Sequence, residues 1–265
     1  MSVRSLATAS PLPGIADDEI SAHFGLLPES YFVQANAAEV TLHIRMVNRL
    51  LQSINAADSL GSLRPMIEWQ DAPDGEHTAV HVVTWDRAGL FHKLAGGCSV
   101  AGLNILSARI TTRSDHIAID TFRVVEPGHG AVRSEKTKAL FARTVEDALM
   151  GHPNLLPAIL ARTKKPAAHS CSATPPTVEI YREILSPRLI VEIQAADRLG
   201  LLYRVGRVFA EQGFNLSSAR VATERGHAVD NFHIEPEDAR SLDDARLATL
   251  RHALLSALHE PGAAG

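Results

Sequence analysis

The most constraining feature of this chain is that it repeats itself. Asp86-Arg87-Ala88-Gly89-Leu90-Phe91 recurs as Asp197-Arg198-Leu199-Gly200-Leu201-Leu202, a displacement of 111 residues. The same displacement carries Gly102-Leu103-Asn104-Ile105-Leu106-Ser107-Ala108-Arg109 onto Gly213-Phe214-Asn215-Leu216-Ser217-Ser218-Ala219-Arg220. With one residue dropped, Asp120-Thr121-Phe122 falls on Asp230-Asn231-Phe232. Chance similarity seldom keeps one register across separated motifs, so the chain is a duplication of one folding unit. Its 265 residues accommodate two such units and a further segment.

Each copy predicts the same order of elements. Val80–Thr84 alternates and is β-branched, the pattern of a strand. Leu90, Phe91, Leu94, Ala95 and Cys98 follow at helical spacing, and Gly102 ends that helix because it tolerates the left-handed conformation. Leu103–Thr112 and His116–Val125 are strand-like and joined by a hairpin at Arg113-Ser114-Asp115; Lys136–Met150 is helical again. The second copy reads as strand Leu189–Ala195, helix Leu201–Glu211, strands Phe214–Thr223 and Ala228–Ile234, and helix Asp243–Leu258. The fold class is therefore α+β: two ferredoxin-like βαββαβ units side by side, preceded by a helical segment.

The strand that closes each sheet is ambiguous. Thr177–Tyr181 follows the first copy's last helix, and Met66–Gln70 precedes it by the same 111 residues. Nothing strand-like follows the second copy's last helix. The expectation is an exchange, with strand 66–70 completing the second sheet and strand 177–181 the first. The expected boundaries are a disordered N-terminus (1–16), a helical segment (17–60) broken at Leu27-Pro28, a first unit (66–161), a Pro/Ser/Lys-rich linker (162–176) and a second unit (177–260).

Composition excludes several function classes. A net charge of −4 and 5% aromatic residues argue against nucleic acid as a partner. No apolar run reaches the ~20 residues that span a bilayer, and no basic start precedes an apolar segment, so neither membrane nor signal peptide is expected and the chain is placed in the cytoplasm. Cys98 and Cys171 form neither a disulfide framework nor a zinc pattern; Cys98 is expected as a buried free thiol. The thirteen histidines show no metal-binding spacing, and His116 and His227 fall at matched hairpin positions typical of surface groups. With no Gly-x-Ser-x-Gly and no activated cysteine, no metal, cofactor or catalytic residue is expected. Arg109 with Asp120, and Arg220 with Asp230, are candidates for simple cross-strand ion pairs.

The candidate ligand site is the strand-to-helix turn Asp-Arg-x-Gly-Leu in each copy. Glycine there lets another group approach the backbone, and the unpaired amides of a helix start favour a carboxylate. Asn104 and Asn215 open the next strand, near those turns, with amides able to donate and accept. The same residues also suit a purely structural role, the aspartate as a helix N-cap and Gly102-Leu103-Asn104 as a helix exit.

These motifs, with the hairpin ending in Asp-x-Phe, resemble the ACT domain. They are most similar to the tandem ACT region at the C-terminus of the bifunctional uridylyltransferase/uridylyl-removing enzymes that modify the nitrogen-signalling PII protein. His23-Phe24, Leu27-Pro28-Glu29-Ser30-Tyr31-Phe32 and Glu39–His43 resemble the segment joining that family's HD phosphohydrolase domain to its ACT pair, so the likeness runs from Asp17 to Leu258. The resemblance implies βαββαβ units that pair side by side and bind an amino acid at the paired interface, glutamine in this family. By position it implies ligand contacts from Asp86, Ala88, Gly89, Leu90, Asn104 and Ile105, and from Asp197, Leu199, Gly200, Leu201, Asn215 and Leu216. The family's catalytic motifs are missing: Gly61-Ser62 has no Asp-x-Asp partner, and no His-Asp dipeptide occurs. The expectation is a non-catalytic regulatory protein that senses glutamine in nitrogen metabolism and acts on a protein partner, with a homodimer as a further expected association. The alternatives are an interaction module that has lost its ligand, and a remnant of a uridylyltransferase.

Overall fold

The computed structural model describes residues 12–56, 64–128, 130–151, 154–162, 175–184, 188–224, 227–238 and 242–259. Three helices come first: α1 (Asp17–Leu26), α2 (Glu29–Gln34) and α3 (Ala37–Ala56). Leu27, ahead of Pro28, is extended at φ −99°, as a residue before proline must be, and this breaks α1 from α2. A reciprocal pair starts α3: Glu39 N donates to Asn36 Oδ1, and Asn36 N to Glu39 Oε2, both at 3.0 Å.

The first copy continues as β1 (Met66–Asp71), β2 (Thr78–Trp85), α4 (Leu90–Ala101), β3 (Asn104–Arg109), β4 (Ile117–Val125) and α5 (Glu135–Met150), followed by a short α6 (Leu156–Arg162). The second is β5 (Thr177–Arg182), β6 (Leu189–Ala196), α7 (Leu201–Glu211), β7 (Phe214–Arg220), β8 (Thr223–Glu224), β9 (His227–Pro236) and α8 (Asp244–His259). The sheets run β1-β2-β4-β3 and β5-β6-β9-β7, with β8 on β9. This is ferredoxin-type strand order, but the closing strand comes first in the chain, so each copy is ββαββα rather than the expected βαββαβ.

The expected strand exchange does not occur. Strand 66–70 stays in the first sheet beside β2, and strand 177–181 stays in the second, where β5 pairs β6 from Thr177↔Gln194 to Arg182↔Leu189. The reason is local. Ala72 N donates to His77 O at 2.9 Å and Gly75 N to Ala72 O at 2.8 Å, while Glu183 N donates to Arg188 O at 3.1 Å. A short hairpin loop closes at far lower entropic cost than a pairing 111 residues away. Helix α6 was not expected; it takes the end of the first predicted unit and Arg162 of the predicted linker. Residues 1–11 of the predicted N-terminus, 57–60 of the helical segment, linker residues 163–174 with Cys171, and residue 260 lie outside the described residues.

Packing divides the chain into two compact units that do not coincide with the copies: Met1–Gln70 with Val80–Asp86 and Thr111–Thr121, and Asp71–Ala79 with Arg87–Ile110 and Phe122–Gly265. In the first, Tyr31, Phe32, Val40, Ile44, Met46 and Leu50 bury against Val83, Ile117 and Ile119. A buried polar chain crosses this core: Tyr31 Oη to His43 Nδ1 (2.7 Å), His43 Nε2 to His81 Nδ1 (2.9 Å), and His81 Nδ1 to Thr121 Oγ1 (3.1 Å). His23 is buried beside it with no hydrogen-bond partner on either ring nitrogen among the described residues. Burial, helped by the Arg113 charge, pushes its pKa down to about 3, so the ring is neutral.

In the second unit α4 and α7 approach through glycines. A Cβ on Gly206 would lie 2.7 Å from Phe91 Cδ1, and one on Gly96 would lie 2.8 Å from Tyr203 Cδ2. Phe91, Phe122, Phe209 and Phe232 fill the space beneath, with ring centroids 5.3–6.2 Å apart. The edge strands β3 and β7 of the two sheets lie against each other. Cys98 is buried and reduced, and burial raises its pKa.

Candidate functional site

Both Asp-Arg-x-Gly-Leu turns leave a strand and enter a helix in the same way. The helices start at Leu90 and Leu201, with Gly89 (φ 69°) and Gly200 (φ 84°) as left-handed N-cap residues. Leu90 N donates to Arg87 O at 3.0 Å and Leu201 N to Arg198 O at 3.1 Å, closing each turn. Asp86 and Asp197 therefore sit three residues before the N-cap and are not the caps that sequence alone also allowed. A β-carbon at either glycine would meet neighbouring side chains in addition to the left-handed strain.

The arginines of the motif have a role the sequence did not disclose. Arg87 Nη1 donates to Leu149 O at 3.0 Å, and Arg198 Nη2 donates to Ala257 O at 3.2 Å and Leu258 O at 2.8 Å. Each guanidinium thus holds the C-terminal carbonyls of its own copy's last helix, where a cation is favoured by the helix dipole.

A cleft opens at the second turn. Residues Asp197–Leu202 form one wall, the first copy's Ser99, Leu103, Asn104 and Ile105 form the other, and Val221, Ala228 and Asp230 complete it. Asp197, Leu199, Gly200 and Leu201 are thereby brought together with Asn104 and Ile105. Asn215 and Leu216, their same-copy counterparts, do not line it; they lie on β7 opposite Glu235 and Ile234. Adjacency of β3 and β7 explains this, because it presents the start of β3 to the start of α7. Of the first-copy turn residues, Asp86 belongs to the first compact unit, and Ala88, Gly89 and Leu90 to the second. The cleft is tight, about 40 Å³, room for a few water molecules.

Asp230 is the residue the sequence-based site set missed. On β9 the residues Ala228, Asp230, Phe232 and Ile234 all face inward, so the carboxyl is 1% exposed among apolar neighbours. Its Oδ1 accepts from Ala222 N at 3.3 Å, and its Oδ2 has no hydrogen-bond partner among the described residues. The cross-strand ion pair with Arg220 does not form; Arg220 stands opposite Asn231. Burial raises the Asp230 pKa to about 7, opposed by the Ala222 N–H and reinforced by the charge of Asp197. Asp120 repeats the arrangement in the first copy: Oδ1 accepts from Thr111 N at 3.4 Å and Oδ2 has no hydrogen-bond partner among the described residues. Its pKa is held well above the usual carboxylate range, chiefly by burial. The signal was present in the sequence, as an acid in the apolar register of a strand.

Among the described residues no group of His, Cys, Asp or Glu is arranged to hold a metal ion, and no helix is long and apolar enough to cross a membrane.

Duplicated ferredoxin-type sheets with edge strands β3 and β7 together, and a glycine turn at each helix start, define the ferredoxin-like α+β class. Residues 189–251 match the ACT domain, so the second copy is an ACT domain, and the first copy repeats its strand order. It is 33% identical over 231 residues to a bifunctional uridylyltransferase/uridylyl-removing enzyme of Rhodospirillum rubrum, covering 86% of this chain and 24% of that protein. The protein of the same description from Erythrobacter litoralis is 29% identical over 236 residues, 89% of this chain and 25% of the relative. The chain thus spans about a quarter of the length of these relatives, and the stretch it matches is their C-terminal regulatory region. A solved structure described as a glycine cleavage system transcriptional repressor is 18% identical, covers 69% of this chain and 91% of that one, and has a TM-score of 0.25.

Proposed function

We propose that this chain is a non-catalytic sensor of an amino acid, glutamine, and that the cleft at the second turn is its ligand site. The observation that carries this is the unsatisfied Asp230 oxygen in a cleft that also holds a helix start. An α-amino acid brings an ammonium and a carboxylate on one carbon. Asp230 and Asp197 suit the ammonium, the first-turn amides of α7 suit the carboxylate, and the Asn104 amide suits the side-chain amide of glutamine. Ammonium binding ionises Asp230 and supplies the partner that its Oδ2 lacks. Because the cleft is narrow, seating a whole amino acid in it widens the gap between β3 and the start of α7. That links ligand affinity to the arrangement of α4 and α7, the requirement for a sensor.

The duplication extends the proposal to the matched residues Asp86, Ala88, Gly89, Leu90, Asn215 and Leu216. The regulated partner is a protein or domain with uridylyl-transferring or uridylyl-removing activity, by relation to the enzymes whose C-terminal quarter this chain matches. Calorimetric titration of the intact chain with a panel of amino acids tests the proposal. Saturable binding of L-glutamine, weakened about tenfold or more in Asp197→Ala, is expected. No saturation by any amino acid would favour an interaction module instead, and uridylyl transfer by the purified chain would overturn the non-catalytic assignment.

A further inference from the structure

We propose that a second cavity in the same unit, between α4, α7 and the chain leading into α6, binds a small oxyanion, a carboxylate or phosphate group, whose charge is met by Lys93. The cavity has a volume of about 370 Å³ and shares no residue with the cleft at the second turn. Lys93, His92, Tyr203, Arg207, Asn154 and Leu155 supply its functional lining.

Lys93 is the reason to expect a ligand here. Its side chain is 5% exposed, it lines the cavity, and no hydrogen bond or ion pair engages it among the described residues. Lysine covered to this degree buries its stem and keeps its ammonium where solvent can reach it, which leaves the charge at the cavity without a counter-charge. The other charges do not supply one. Arg207 Nε is held 3.1 Å from Glu211 Oε1, so that pair cancels and Lys93 is the charge left over. Burial and the nearby Arg87 guanidinium both lower the Lys93 pKa, the response of a cation in a positive, poorly solvated site. Its counterpart in the second copy, Arg204, is buried to a similar degree but is engaged by its surroundings.

The rest of the cavity suits a compact ligand with an apolar body. Ala88, Ala148 and Ala210 make its walls smooth, and the Tyr203 hydroxyl is fixed by Leu155 N at 3.2 Å and Asn154 Oδ1 at 3.4 Å. With Arg207 already paired to Glu211 in the same cavity, an oxyanion placed on Lys93 would complete the charge balance.

The test uses the full chain in chloride buffer at fixed ionic strength, titrated separately with inorganic phosphate and with glutarate. At least one should bind saturably in the millimolar range and raise the unfolding temperature. Phosphate alone would identify a phosphoryl group, and glutarate alone a carboxylate. Lys93→Met should weaken that binding about tenfold or more while leaving the L-glutamine titration unchanged. Saturation by neither anion, or equal binding by a natively folded Lys93→Met, would overturn the proposal. A readout independent of any variant is the 13Cε NMR signal of Lys93, which must move with the same saturation; a signal that stays in place while the anion binds would also overturn it.

Discussion

The two Asp-Arg-x-Gly-Leu turns have one backbone and different company. At the first, the space a β-carbon would need at Gly89 is taken by the His92 imidazole, with the Ala210 methyl 3.2 Å away. At the second, the residue matched to His92 is Tyr203, whose hydroxyl is tied to Leu155 N, and a β-carbon on Gly200 would instead lie 2.7 Å from Ile159 Cγ2. Ile159 belongs to α6, which follows the first copy and has no equivalent after the second among the described residues. Duplication has copied what is local: a left-handed glycine, an arginine on the last helix's carbonyls, an acid in the apolar register. The surroundings come from α6, and from which edge strand meets which.

That comparison can be broken at several points. The largest effect is expected from Asp230→Asn. The folded-state pKa of about 7 lies above the ordinary 3.8, so the folded protein holds this proton longer than the unfolded chain. Stability is then full at acid pH and falls as pH rises from about 4 through 7, by as much as ~4 kcal/mol. Asp230→Asn should remove that loss, raising the unfolding temperature at pH 8 and not at pH 4; equal effects at both would deny that the acid is buried unpaired. Next comes Gly200→Ala, expected to cost ~3 kcal/mol in denaturant unfolding, from left-handed strain and the clash with Ile159. Gly89→Ala should cost less, ~1–2 kcal/mol, because the His92 side chain can turn aside. Equal costs would erase the distinction between the turns.

His23 in the first compact unit should respond to pH with the opposite sign. The His23 pKa of about 3 lies below the ordinary 6.5, so its contribution is complete above pH 6.5 and is lost as pH falls toward 3. At pH 5 the loss should be ~2 kcal/mol, and His23→Leu should abolish it. If acid unfolding keeps the same midpoint in the variant, His23 is not the group responsible. The smallest effect, ~1 kcal/mol, is expected from Arg198→Gln, which takes two hydrogen bonds from the end of α8. Faster amide exchange confined to the last turn of α8 would report it, and no change there would dismiss the capping role.

Local features were legible in the sequence. Helix α7 spans Leu201–Glu211 as its apolar spacing indicates, and Gly102, at φ 78°, ends α4 with Leu103 N on Cys98 O at 2.9 Å. Both follow from interactions within a few residues. The closing strands were not legible, because Met66–Gln70 and Thr177–Tyr181 have similar strand character and only loop closure chooses their partners. Helix α6 was hidden by its seven-residue length and by Pro157 at its second position. The cleft was half legible: the turn and the asparagine were both found, but the alliance of one copy's turn with the other copy's Asn104 depends on β3 meeting β7. Asp230 was noticed only as a candidate ion-pair partner, since nothing along the strand says that Arg220 stands opposite Asn231 instead.

A ligand site shared between copies makes a demand that a site within one copy does not. In a double-mutant cycle read by L-glutamine titration of the intact chain, Asp197→Ala and Asn104→Ala should be coupled by about 1 kcal/mol or more, because both residues line one cleft. Asp197→Ala and Asn215→Ala should add independently. Additivity of Asp197 with Asn104, together with coupling of Asp197 to Asn215, would place the site within a single copy and contradict the shared cleft.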